Sequence, residues 1–278
     1  MSDTPHITHA PRREGSAGGM NHARMGAGRP LLLLHGLGGA WQSWSMVLDA
    51  LAAEREVIAV DLPGHGATPM LAGETSIATF ADAVTAFLDA HGLRGVDVAG
   101  SSMGARLVLE LARRGVVGAA VSLDPGGFWN GWERTLFGVT IGASIRLVRR
   151  LQPAMPALAG SAAGRTLLLA QLSARPWLLP PDVVLREMRA YAAAPAFDPM
   201  LASLVHGPEQ QGMPAGSATR PMVIAWGRQD RVCLPRQADR AAARFPDARV
   251  HWFDACGHFP HWDAPEQTVE LILRTTAA

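Results

Sequence analysis

The 278-residue sequence contains no lysine; all 25 basic residues are arginine. Schiff-base catalysis and the phosphate-cradling P-loop both need a lysine amine, so neither chemistry is open to this chain. Cysteine is almost as scarce. Cys233 and Cys256 form no C-x-x-C pair and are too few for a disulfide framework. Neither sign of charge dominates: 24 acidic residues offset the arginines to a net charge of +1, and no basic or acidic block is long enough to suggest nucleic acid. Long apolar runs are also missing. Stretches such as 167–170 fall far short of the ~20 residues that span a membrane. The opening Met1-Ser2-Asp3-Thr4-Pro5 has no basic stretch leading into an apolar core, so no signal peptide and a cytoplasmic location are expected.

What is present is enough apolar material, 48% of residues, for one large domain carrying an insertion. Residues 1–19 are polar and read as a flexible tail or a weak edge strand. The four leucines 31–34, bounded by Pro30 and Gly36, read as a strand buried on both faces. Similar strands are expected at 57–60, 96–99, 119–123, 222–227 and 250–253, with a further one at 20–25. Helical patterns lie between them: through Trp44, Val47, Leu48 and Leu51, over 76–90, after Met103, over 236–245 and over 265–274. Strands alternating with helices argue for a parallel sheet covered on both sides. The alternation lapses between 126 and 219, where helical stretches broken by Pro and Gly suggest an inserted helical segment.

The most informative stretch joins strand 96–99 to the helix after Met103. Ser102 falls at the junction, flanked by Gly100 and Gly104 at the spacing G-x-S-x-G. A turn this tight leaves no room for side chains at the two glycines, and it exposes Ser102 beside a helix N-terminus whose free N–H groups favour negative charge. A nucleophilic hydroxyl and a developing oxyanion belong in such a place.

Five motifs in order are similar to those of the α/β-hydrolase superfamily: His35-Gly36 after a strand, Asp61-Leu62-Pro63-Gly64-His65-Gly66, the Ser102 turn, Trp226-Gly227-Arg228-Gln229-Asp230, and Gly257-His258-Phe259-Pro260. The resemblance implies a mostly parallel eight-stranded sheet built from 20–125 and 220–278, with 126–219 as a helical cap after the sixth strand. It also implies the chain order nucleophile, acid, base. His258, just past the last strand, is the expected base, ahead of His251 inside that strand, His261 after Pro260 and His206 in the insertion. Asp230 is the acid the resemblance selects. Asp124, one strand earlier, is the alternative. The oxyanion donors are expected to be the backbone N–H groups of Met103 and, by resemblance, Leu37.

Other residues receive bland roles. His35 and His65 are expected to structure their loops, with Asp61 bracing His65, and Asp263 to cap the final helix. Cys233 and Cys256 sit on the loops bearing Asp230 and His258 and are expected as free buried thiols. Phe128, Trp129, Trp132, Leu136, Phe137, Trp177 and Met188 in the insertion offer either helix packing or an apolar substrate wall, and Arg146, Arg149 and Arg150 fit a solvated helix face. The expected activity is hydrolysis of a small to medium, largely apolar carboxylic ester through an acyl-enzyme on Ser102, with no metal, cofactor, nucleic acid or membrane involved. A serine nucleophile argues against the aspartate-dependent dehalogenases and epoxide hydrolases of the superfamily. Two alternatives stand: a carbon–carbon bond hydrolase of the meta-cleavage type, and an inactive binding protein on the same fold.

Overall fold

Leu31, Leu32, Leu33 and Leu34 are all fully buried, and alternate members enter two different hydrophobic clusters. Successive side chains on a strand point to opposite faces, so this pattern requires helices on both sides of the sheet. The computed structural model, which describes residues 12–14 and 19–277, has that architecture. The chain runs through β1 (Arg12–Glu14), β2 (His22–Met25), β3 (Pro30–Leu34), a 3-10 turn (Trp41–Trp44), α1 (Leu48–Ala52), β4 (Glu56–Val60), α2 (Ile77–Ala90), β5 (Asp97–Ser101), α3 (Met103–Arg113) and β6 (Ala120–Leu123). A helical segment follows: α4 (Trp132–Arg150), α5 (Met155–Gly160), α6 (Ala162–Leu169), α7 (Pro181–Ala193) and α8 (Phe197–His206). The sheet then resumes with β7 (Met222–Gly227), α9 (Gln237–Arg244) and β8 (Arg249–Phe253), and α10 (Pro260–Asp263) and α11 (Pro265–Thr275) close it.

The strand order is β1-β2-β4-β3-β5-β6-β7-β8. β2 pairs antiparallel with β1 and β4, and the later pairs are parallel. Helices α2, α3 and α9 pack on one face, α1 and α11 on the other. α2 illustrates how sequence sets an element. Ser76 and Thr79 cap each other's backbone N–H groups at its start, and Phe80, Ala81, Val84, Phe87 and Leu88 bury one stripe. Each large apolar side chain so buried contributes roughly 1.5–3 kcal/mol.

Two expectations change on the way. The stretch from Trp44 to Leu51 is not one helix; a 3-10 turn ends at Trp44 and α1 starts only at Leu48. Most of the expected tail at 1–19 lies outside the described residues, but 12–14 pair with β2 as an edge strand.

Because β4 and β5 flank β3 on opposite sides, chain direction across the sheet reverses beside β3. The carboxyl ends of β3 and β5 therefore open onto the crevice where parallel sheets bind ligands. The helical segment between β6 and β7 buries its own cluster, including Ile145, Met155, Leu169, Met188 and Phe197, against Phe259 and Trp262 at this end of the sheet. Among the described residues, no helix is long and apolar enough to cross a membrane.

Candidate active site

Ser102 is held at φ 57°, ψ −115°, a conformation that costs a non-glycine residue roughly 1–3 kcal/mol. Its amide is tied to the Leu123 carbonyl of β6 at 2.9 Å. The flanking glycines are there for space. A Cβ on Gly100 would lie 2.4 Å from the Gly104 carbonyl oxygen, and one on Gly104 would lie 2.2 Å from that of Leu34. The turn therefore presses α3 against the ends of β5 and β3.

His258 sits beyond β8 in a turn anchored by its own amide, which donates to the Leu172 carbonyl at 2.9 Å. Its Nε2 lies 2.8 Å from Ser102 Oγ and its Nδ1 2.8 Å from Asp230 Oδ2. The network assigns the neutral tautomer: Nδ1–H donates to the carboxylate and Nε2 accepts the serine hydroxyl. Asp230 is itself fixed, its Oδ1 accepting from the amides of Val232 at 2.7 Å and Cys233 at 3.0 Å. Both His258 and Asp230 are buried. The three residues meet at the carboxyl edge of the sheet, on loops after β5, β7 and β8.

Asp124, the alternative acid, lies next door but does not reach the imidazole. It is fully buried at φ 51°, and its Oδ1 accepts from the Gly227 amide at 2.8 Å. Burial and the neighbouring Asp230 push its carboxyl pKa well above the usual range, which disfavours its ionised form.

The amides of Leu37 and Met103 are the expected oxyanion donors, and among the described residues neither is engaged in a hydrogen bond. Gly36 brings the Leu37 loop close, since a Cβ there would sit 3.2 Å from Ser102 Cβ. His35 fixes this loop from behind: its Nε2 accepts from the Leu62 amide at 2.9 Å and its Nδ1 faces the Gly36 carbonyl at 2.7 Å. Burial lowers its pKa to about 4, and that of His65 to about 3, so both are neutral spacers and not bases. Asp61 makes no hydrogen bond to His65; it accepts from Asn21 Nδ2 and from the amides of Trp41 and Ala67, bracing the whole turn.

Asp263 departs from its expected role. α11 has Ala264 at its N-cap and no side-chain cap. The Asp263 carboxylate instead turns inward, accepting from the amides of Ala174 at 2.8 Å and Gly257 at 2.7 Å and from the Ser173 hydroxyl. It thus clamps the helical segment to the loop of His258. Cys233 and Cys256 are free and buried, and burial raises both thiols. Ligand atoms of Asp230, Cys233 and His258 cluster within 4.8 Å, but both imidazole nitrogens are already engaged and the thiol is held protonated, a poor set for a metal.

Above Ser102 lies a pocket of about 690 Å³ including its mouth. Leu37, His258 and Phe259 line its base, and Phe137, Ile145 and Met188 of the helical segment are among the residues that roof it. Of the insertion's residues that offered either helix packing or a substrate wall, Phe137 and Met188 line the pocket. Phe128 and Trp129 pack into the core, and Trp132, Leu136 and Trp177 face solvent. Arg146, Arg149 and Arg150 do not line the pocket, and Arg149 pairs with Asp198 on the surface.

The family model of the alpha/beta hydrolase family matches residues 31–271. The chain belongs to the alpha/beta hydrolase family. Among curated relatives of this alpha/beta hydrolase is the dihydrolipoyllysine-residue acetyltransferase component of the acetoin cleaving system of Cupriavidus necator, 32% identical over 92% of this chain and 66% of that one. The chain thus spans just under two thirds of that relative's length. The 2-hydroxy-6-oxo-2,4-heptadienoate hydrolase of Pseudomonas putida is 27% identical over 94% of this chain and 95% of that one. A solved thermophilic esterase from Thermogutta terrifontis superposes with a TM-score of 0.71 at 19% identity, covering 95% of this chain and 96% of that one. At that identity it speaks for the fold alone.

Proposed function

We propose that this alpha/beta hydrolase is a serine hydrolase that cleaves a largely apolar carboxylic ester, with Ser102 as nucleophile, His258 as base, Asp230 as the orienting acid and 126–219 as a cap. The observation that carries the reading is the pair of 2.8 Å contacts linking Ser102 Oγ, the imidazole and Asp230 beneath an apolar pocket. A serine hydroxyl is a weak nucleophile unless a base within hydrogen-bond reach takes its proton. Here Nε2 takes it as Oγ bonds the ester carbonyl carbon, and the carbonyl π electrons move onto oxygen. The Leu37 and Met103 amides stabilise that oxyanion, each donor contributing roughly 3 kcal/mol to lowering the barrier. Collapse expels the alkoxide, which leaves as alcohol with the proton from Nε2. Water, deprotonated by the same imidazole, then releases the acid and restores Ser102.

A carbon–carbon bond hydrolase is the second reading, favoured by the relative from Pseudomonas putida. Its named substrate is a dienoate and carries a carboxylate. Among the described residues no arginine lines the pocket, and its lining is mostly aliphatic and aromatic, which supports an uncharged ester instead. The test pairs a p-nitrophenyl ester series with a vinylogous diketo acid on untreated protein, with fluorophosphonate labelling of a separate sample. The ester reading expects labelling that Ser102→Ala abolishes and turnover of the esters alone. Turnover of the diketo acid in preference would select the second reading, and an unlabelled Ser102 would point to a binding protein.

A further inference from the structure

Glu187 is an acid on the otherwise largely apolar buried face of α7. In α7 it is 1% exposed, between Val184 and Met188 on one side and Tyr191 one turn on. Its Oε2 accepts from the Ser43 hydroxyl at 2.8 Å, across 144 residues of chain. Ser43 lies at the far end of the loop that carries Leu37. Its Oγ also accepts from the Ala40 amide at 3.2 Å, and it packs so tightly on Gly39 that a Cβ there would lie 2.7 Å away. One turn further along α7, Tyr191 presses on Gly38 together with Phe197 at the start of α8, and Gly38 sits at φ 79°. Arg186 adds a second polar tie to the same segment, donating to Ser45 Oγ at 2.7 Å. The loop from Gly36 to Ala40 is thereby held between His35 on the core side and Glu187 with Tyr191 on the other.

We propose that Glu187 is a positioning residue for the oxyanion loop, acting through Ser43 to hold the Leu37 amide toward Ser102. The proposal rests on the serine-hydrolase reading for its catalytic consequence, though not for its structural one. The groups that bear on Glu187 are few. Arg186 favours its ionised form, the Ser43 hydroxyl donates to it, and its charge disfavours ionisation of Tyr191. The imidazoles nearby in the fold, His35 of the loop and His261 stacked on Trp44, are held neutral by burial. Glu187 itself is pushed up to about 7, so it changes charge near neutrality while those two histidines do not. Ionisation of a buried acid is costly, but the carboxylate accepts the Ser43 hydroxyl more strongly than the neutral acid does, so the contact itself tightens as the pH rises through that point.

The test compares Glu187→Ala, Glu187→Gln and Ser43→Ala in the full chain, reading p-nitrophenyl butyrate turnover against pH and amide hydrogen exchange across the loop. Glu187→Ala is expected to lower kcat by about 10- to 100-fold with KM within about threefold, because a displaced donor acts on the transition state. Ser43→Ala should do the same, and the double variant should be no worse than either single one. Glu187→Gln keeps an acceptor for Ser43 and should recover most of the lost kcat. The ratio of wild-type to Glu187→Gln rate should rise as pH rises through about 7. Exchange at 37–40 should quicken in Glu187→Ala and Ser43→Ala but not in Glu187→Gln. Unchanged kcat and unchanged exchange in both alanine variants would overturn the proposal, as would a ratio flat with pH. If the wild type hydrolyses no ester, the serine-hydrolase reading fails, and the exchange comparison still decides whether Glu187 positions the loop. Should Glu187→Ala not fold, Ser43→Ala, which removes a single hydroxyl, decides in its place.

Discussion

Replacing Asp230 by asparagine separates the two candidate acids. The carboxylate accepts three hydrogen bonds: Oδ2 from His258 Nδ1, and Oδ1 from the amides of Val232 and Cys233. An asparagine can present its oxygen to only one of these sides. With the oxygen kept on the two amides, its NH2 faces Nδ1, which must then accept. The ring proton moves to Nε2, and the imidazole can no longer take the proton of Ser102. In the flipped orientation the oxygen faces Nδ1, but two buried amides lose their acceptor at roughly 1–3 kcal/mol each. The first orientation is therefore preferred by roughly 2–6 kcal/mol. Asp230→Asn should lower kcat by about 10⁴, or ~5 kcal/mol of barrier, the magnitude seen when a triad acid is so replaced. Asp124→Asn should stay within about tenfold of wild type, because the amide oxygen can still accept from Gly227 and the imidazole keeps its contact with Asp230. The assay is steady-state hydrolysis of a p-nitrophenyl ester by both variants, with thermal melts to establish folding. A 10⁴ loss in Asp124→Asn beside a mild one in Asp230→Asn would refute the assignment.

Gly104→Ala would drive a Cβ to 2.2 Å from the Leu34 carbonyl oxygen and 2.5 Å from that of His35, both backbone atoms. Overpacking of this kind costs ~1–3 kcal/mol, so a melt should fall by about 2–5 °C, and an unchanged melting temperature would contradict the close approach. Cys233 and Cys256 are buried with raised thiols, so a disulfide-exchange reagent should leave both unmodified until the protein unfolds; modification in the native state would contradict that burial. Glu187 binds its proton more tightly when folded, its pKa rising from 4.5 to about 7. Stability should therefore decline as pH climbs through that window, by up to about 3 kcal/mol, and urea titrations of Glu187→Gln should show less of the decline.

The legible parts of this chain are those dictated by local sterics and strand order. The Ser102 turn could be read because two glycines at fixed spacing have one steric purpose, and the atoms that would meet their Cβ groups bear it out. The double-faced burial of β3 could be read from four consecutive leucines. The choice between Asp124 and Asp230 came from the resemblance alone, because both end parallel strands and side-chain reach is what separates them. Asp263 resembled a helix cap by its place before Pro265, yet its partners, Ala174 and Gly257, come from segments whose approach no local pattern encodes. Glu187 left a trace. Val183, Val184, Met188 and Tyr191 recur at helical spacing, which puts Glu187 on their face, and an acid there needs a partner.

Among the described residues, the non-glycine residues at positive φ are Ser102 and Asp124, at the carboxyl ends of neighbouring strands β5 and β6. Strain of roughly 1–3 kcal/mol at each site persists only where surrounding bonds hold it, and the amides of both residues are tied to the next strand across, Ser102 to Leu123 and Asp124 to Ala225. Ser102 at such a point gains exposure and a helix N-terminus. Asp124 gains neither, since it is wholly buried and does not touch His258. What its bent backbone achieves is to aim Oδ1 at the Gly227 amide, the start of the turn that delivers Asp230. A chain of constraints thus runs along the sheet edge: β5 positions Ser102, β6 positions Asp124, Asp124 fixes the exit of β7, and that exit sets Asp230 against the imidazole. Asp124 thus acts through its shape and its bond to Gly227, while burial and the neighbouring Asp230 disfavour a second charge there.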